Sequence, residues 1–160
     1  MSRLPDGWQS SESRRNGAVD SEQRALSPEP VVAPTLEGAQ RLGHEYWRAV
    51  VRSTLGFVRP RESRGGVELR VLGLPPALLV LEPANVAVAH DRVACAFHIV
   101  GGVLARHAGG TLTLTQVGLQ TAELRVAVKG FHPRLGLLYA PLEQRLHASV
   151  SRRYLAGGTR

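Results

Sequence analysis

The spacing of apolar side chains changes character along the chain. From Thr35 onward, Ala39, Leu42, Tyr46, Val50 and Ser53 recur at helical intervals, and Trp47, Val51 and Leu55 form a stripe beside them. This predicts an amphipathic helix with a wide apolar face. Thr35 suits the N-cap, Glu37 falls in the first turn, where the unpaired amides favour a carboxylate, and Gly56 marks the end. Arg41, Glu45, Arg48 and Arg52 take the other side.

Beyond the helix the period falls to two. Phe57 to Arg61 reads as a short extended segment. Val67, Leu69 and Val71 then alternate with Glu68 and Arg70 after a Ser63-Arg64-Gly65-Gly66 turn, which predicts a hairpin. Ala77 to Leu81 is continuously apolar and lies between Pro76 and Pro83, predicting a strand covered on both faces, with Val86 and Val88 in a separate one. Val93, Cys95, Phe97 and Ile99 share a face, and Gly101-Gly102 predicts a bulge or bend, with Val103-Leu104 prolonging the strand. Thr111 to Thr115 alternates strictly, leucines inward and threonines outward, and Leu124, Val126 and Val128 repeat the pattern. The sum is an antiparallel meander of six or seven strands.

Helical spacing returns near the C-terminus. Leu138, Leu142, Leu146, Val150 and Tyr154 stand four apart, and Leu135 and Tyr139 extend the stripe upstream. Pro141 and Glu143 suit a first turn, Arg152 and Arg153 a last one, and Gly157-Gly158 a stop. The opening 35 residues, by contrast, show no periodic face, and Ser, Pro, Glu, Arg and Gly dominate them. They predict a disordered tail with Trp8 solvated in it. Nor is a secretory signal expected, since no apolar stretch follows Met1. The predicted organisation is a disordered tail over 1–35, a single α+β domain over 36–156 and a flexible C-terminus over 157–160.

Composition narrows the function classes. A length of 160 residues with 43% hydrophobic side chains suits one packed domain. No apolar run approaches the ~18–20 residues of a spanning helix, so no membrane span is expected and the cytoplasm is the expected location. One Cys excludes an internal disulfide and a four-Cys zinc site. Nineteen of the 20 basic residues are Arg, which points to coding bias as much as to selection for charge. Residues 1–36 hold four Arg against five acids, whereas 37–160 hold sixteen bases against eight acids, so the domain itself is basic. Its arginines are scattered, with no reading helix or stacking-aromatic sheet, and nucleic acid is not the expected partner.

The candidate chemistry is sparse. His44, His90, His98, His107, His132 and His147 stand in no ligand spacing; His98 and His107 flank a turn and are the pair placed to meet across a hairpin. Cys95 falls among apolar neighbours, where a thiol stays protonated and inert. Gly101-Gly102 and Gly109-Gly110 lack the Lys and Ser/Thr of a phosphate loop, and Glu68 and Glu123 alternate outward, so no inward acid is predicted. No metal or cofactor is called for. If the fold encloses a cavity, Trp47, Cys95, Phe97 and Tyr139 are its candidate lining, giving apolar walls with an indole or phenol donor. In the plainer reading these residues are core.

The order of elements, N-terminal helix, meander with the Gly101-Gly102 bend, and a terminal Leu/Tyr helix, resembles the START-like (SRPBCC, polyketide cyclase-like) superfamily over residues 36–156. The resemblance implies a helix-grip fold, a curved antiparallel sheet around the C-terminal helix, and a small apolar ligand held between them. It also implies a strand ahead of the first helix, which the sequence does not show unless Val31-Val32 supplies it. The leading expectation is a non-enzymatic, monomeric or homodimeric domain that holds such a ligand. The alternatives are a cyclase- or hydrolase-type enzyme with His98 or His132 as base, and a basic module for nucleic acid or an anionic partner.

Overall fold

The computed structural model describes residues 4–134, 145 and 148–156. An eight-stranded antiparallel sheet forms the body, with strands β1 (Gln9–Arg15), β2 (Ala18–Ser27), β3 (Val58–Ser63), β4 (Gly66–Val71), β5 (Leu74–Ala89), β6 (Arg92–Gly101), β7 (Thr111–Val117) and β8 (Ala122–Phe131). Spatial order runs β1-β2-β8-β7-β6-β5-β4-β3, so the last strand of the meander pairs with the hairpin that precedes the helix. Helix α1 (Leu36–Ser53) and a C-terminal helix over 148–156 pack on one face of this sheet, and their side chains share a single core with it. The class is α+β, a curved antiparallel sheet with helices in its concavity: a helix-grip-like arrangement.

Two strands therefore occupy the stretch expected to be a disordered tail. The inward positions of β2 are Ser21, Gln23, Ala25 and Ser27, all buried, and β1 is wholly exposed. Hydrophobic periodicity cannot register a strand whose inward face is polar. Trp8, expected in solvent, is half-buried against the core. The strand ahead of the helix is this hairpin; Val31-Val32 lies in the link that follows it. The predicted domain start at 36 thus cuts off strands integral to the sheet.

Helix α1 begins as its sequence directs. The Thr35 hydroxyl accepts the Gly38 amide at 3.0 Å, a cap that stabilises by about 1 kcal/mol. At its other end Gly56 N–H donates to Val51 O at 2.8 Å and Leu55 N–H to Arg52 O at 3.3 Å, a Schellman closure. Its left-handed C′ residue is Leu55, with φ of 52°, one place before the glycine expected to stop the helix. Leu55 accordingly leaves the apolar stripe and turns into solvent.

In the meander, the two segments read as separate strands on either side of Pro83 are one, β5, whose pairing with β6 shifts register between Pro83 and Val86. A bulge lets proline sit in a strand without breaking it. Only Leu81 of the Ala77 to Leu81 run is fully buried, so this strand is not covered on both faces. The Gly101-Gly102 bend ends β6, and Val103-Leu104 does not prolong the strand. Gly102 has φ of 111° and a Cβ there would collide with the Leu78 carbonyl, so only glycine fits. Leu112 and Leu114 point inward as expected. The predicted start of the C-terminal helix at Pro141 and the flexible end over 157–160 lie outside the described residues.

Candidate functional site

An apolar cavity of about 170 Å³ lies between the concave sheet and the helices. Its walls include Trp47 and Val50 of α1, Leu79 of β5, Ile99 of β6, Phe131 of β8 and Val150 of the C-terminal helix. Arg14 of edge strand β1 and Val58 of edge strand β3 both line it, so the sheet curls far enough for its two edges to meet one space. Glu12 and Arg14, paired at 3.4 Å, bring charge to this lining from the exposed hairpin. That places an acid where none was predicted, because Glu12 belongs to the stretch read as a tail.

An edge-to-face aromatic series runs along the helical side. Tyr154 meets Tyr46 at 5.5 Å between ring centroids, Tyr46 meets Trp47 at 5.2 Å, and Trp47 meets Phe97 at 5.3 Å. Such pairs favour fixed ring orientations beyond the area they bury. Burial holds Tyr46 as a neutral phenol with its pKa well above normal. Tyr154 is raised as well, by burial first and then by the charges that Cys95, Tyr46 and Glu45 carry when ionised. Tyr46 lines the cavity, and its hydroxyl makes no hydrogen bond to another described residue.

The predicted lining residues separate around Trp47. Trp47 lines the cavity, while Cys95 and Phe97 line a cleft of about 310 Å³ on its other side, between α1, the β3–β4 turn and the β5 bulge, to which Trp47 also contributes. Gly43 leaves room there, since a Cβ at that position would stand 3.5 Å from Phe97. Burial pushes the Cys95 thiol up to about 12, partly opposed by the Gly43 backbone, so it is protonated and inert at neutral pH. Tyr139 lies outside the described residues. Most of the lining residues that the sequence did not single out, such as Val50, Leu79, Ile99 and Val150, lie in segments it read as apolar without saying which of them face a space. Phe131 follows the break in alternation at Gly130, and Val19 and Ser21 sit in a strand with no apolar signal.

None of the described histidines lines the cavity. The His107 and His132 rings lie 4.3 Å apart with their planes tilted by 41°, in place of the expected meeting of His98 and His107, because the loop after β6 returns toward the end of β8, where Ala105 bridges Pro133. His98 is exposed on β6. Neither His98 nor His132 lines the cavity or the cleft, which removes the geometric basis for either as a base there. His44 pairs instead with Glu62 at 3.3 Å across the rim of the cleft. His147 lies outside the described residues. Glu68 and Glu123, predicted outward, pair with Arg70 and Arg125.

No protein-family profile matches the chain, and no curated protein matches it by sequence. Among solved structures it is similar to the solution NMR structure of CalU16 from Micromonospora echinospora, at 12% identity and a TM-score of 0.44, over 98% of this chain and 77% of that one. The crystal structure of CalU16 aligns at 10% identity and a TM-score of 0.42, over 92% and 84%.

Proposed function

We propose that this chain is a START-like, SRPBCC-type domain that binds a small apolar molecule in the cavity between its sheet and its helices. The observation that carries this reading is the cavity itself, a partly open and mainly apolar space bounded by core side chains of the sheet and the helices. Close-packed interiors hold few voids larger than a water molecule, and an apolar void of about 150 Å³ can stay dry and admit benzene. The size therefore suits a single aromatic ring or a short branched hydrocarbon rather than a drug-sized molecule. Trp47 supplies a ring face or edge as one wall, the Tyr46 hydroxyl a donor for orientation, and the Glu12–Arg14 pair a charged margin. With no described histidine in its lining, the reading favoured is a pocket that holds a ligand rather than one that transforms it.

The test uses indole and toluene as probes, followed by ligand-observed NMR against the full chain. Saturable binding that disappears in Val128→Phe, a substitution that projects a ring into the cavity, supports the reading. Failure of both probes to saturate, or equal binding by a correctly folded Val128→Phe variant, overturns it.

A further inference from the structure

The end of the domain where α1 gives way to β3 carries an unusual concentration of exposed apolar side chains. Leu55 is 89% exposed, Leu74 64% and Phe57 61%, with Val71 and Leu72 exposed beside them. Two turns bring them together. The α1–β3 turn supplies Leu55 and Phe57, the β4–β5 turn supplies Leu72 and leads into Leu74, and the Leu72 amide donates to the Phe57 carbonyl at 2.7 Å. Leu55 and Leu72 both adopt left-handed backbone, with φ of 52° and 51°, a region that residues with a side chain rarely occupy. Each turn thus holds a leucine out in solvent in a conformation that glycine would adopt more readily, and packing within the fold does not account for that choice.

The charge around this tip is net positive. Segments 46–61 and 69–81, which build it, contain five arginines and no acidic residue. Arg48 and Arg70 are neutralised by Glu45 and Glu68. Arg59 is anchored at the tip by its Nε, which donates to the Gly56 carbonyl at 3.0 Å. Arg153 joins from the C-terminal helix, donating to the Arg52 carbonyl at 2.8 Å. Among the described residues, Arg52, Arg59 and Arg153 have no carboxylate partner.

We infer that this tip docks onto an anionic lipid bilayer, with Leu55, Phe57, Leu72 and Leu74 entering the interfacial layer and Arg52, Arg59 and Arg153 meeting lipid phosphates. Apolar side chains projecting from turns, ringed by guanidinium groups that have no carboxylate partner among the described residues, match a surface that is greasy beneath and negative above. A protruding pair of turns inserts into a fluid surface more readily than it fills a rigid protein groove. No described helix is long and apolar enough to cross a membrane, so the association is peripheral. It does not depend on what the cavity holds.

The experiment is co-sedimentation of the full chain with phosphatidylcholine vesicles, with and without one third phosphatidylglycerol, at low and high salt. Binding is expected with the anionic vesicles and is expected to weaken as salt rises. Leu55→Ser with Phe57→Ser should reduce it at least about tenfold, and Arg59→Gln about fivefold. Leu36→Ser, at an exposed leucine at the other end of α1, should leave it unchanged. The inference is overturned by absence of binding to anionic vesicles, by binding that the tip substitutions do not alter, or by tip substitutions that change the oligomeric state instead. In the last case the patch is a contact between copies of the chain.

Discussion

Gln116 and Val32 are joined as though they were paired residues of a sheet. The Gln116 Nε2 donates to the Val32 carbonyl at 2.7 Å, and its Oε1 accepts the Val32 amide at 3.1 Å and the Val31 amide at 2.7 Å. Gln116 is buried at the end of β7, so its side chain fastens the link between β2 and α1 to the middle of the sheet and satisfies three backbone groups at once. Gln116→Leu keeps the volume and removes all three bonds. Leaving buried amides and a carbonyl unpaired costs about 1–3 kcal/mol per group before relaxation. The expected loss of unfolding free energy is about 3 kcal/mol, measured by urea denaturation. Gln116→Glu should lose at least as much at neutral pH, because its second carboxylate oxygen, buried and charged, would face the Val32 carbonyl with no proton between them.

That contact also shows why part of the fold was legible and part was not. Leu112 and Leu114 declare their strand through alternation, but the next inward position of β7 is Gln116, which reads as the end of the apolar pattern rather than as its continuation. The same holds more strongly for β2, whose inward Ser21, Gln23 and Ser27 are buried polar groups that only tertiary partners can justify. The helix, the hairpin at Val67 to Val71 and the strands around Cys95 and Leu124 rest on burial of apolar faces, and periodicity finds them. At the cavity, Trp47 followed from its place on a helical stripe. The division of Cys95 and Phe97 to its far side depends on how strongly the sheet curls, a property of the β5 bulge and the two edge strands that no local pattern carries.

Among the described residues, a buried polar contact joins the C-terminal helix to β2. Ser151 Oγ donates to Gln23 Oε1 at 3.1 Å, and Gln23 Nε2 reaches Ser10 Oγ at 3.5 Å. Ser151 and Gln23 are both buried, so Ser151→Ala leaves an acceptor without its donor inside the core. A loss of about 1–2 kcal/mol is expected. Hydrogen exchange should show protection falling first over 148–156, ahead of the meander. Uniform loss across the sheet would mean that the helix and sheet unfold as one unit.

Three buried acids of high pKa set the behaviour in alkali. The Cys95 thiol is pushed up to about 12, and Tyr46 and Tyr154 are raised as well, each chiefly by burial. The folded chain keeps these protons at pH values where the unfolded chain releases them, so stability falls as pH rises. The decline begins near the ordinary thiol value of about 8.5 and steepens near the ordinary phenol value of about 10. Each group adds a slope of up to about 1.4 kcal/mol per pH unit once its unfolded form is ionised. Urea midpoints measured from about pH 8 to about pH 11 should drop progressively, and Tyr154→Phe should flatten the upper part of the curve. A midpoint independent of pH over that range would mean that these groups ionise without unfolding.

Leu55 separates the demands of folding from those of the exposed tip. It occupies the left-handed C′ position of α1 with its side chain almost wholly in solvent, so it contributes backbone strain and little packing. Glycine is the residue that this position favours. Leu55→Gly relieves roughly 1 kcal/mol or more of left-handed strain against about 0.5 kcal/mol of added freedom in the unfolded chain. A net gain of about 0.5–1 kcal/mol in unfolding free energy is expected, read as a higher urea midpoint at unchanged slope. Leu55→Ala keeps the Cβ and should be close to neutral, which isolates the backbone from the side chain. The same Leu55→Gly variant should bind anionic vesicles less well than the parent. A gain in stability joined to a loss of binding would show that the leucine is kept for its surface at the expense of the helix end, whereas destabilisation by Leu55→Gly would show that this side chain packs in solution and that the strain is not relieved.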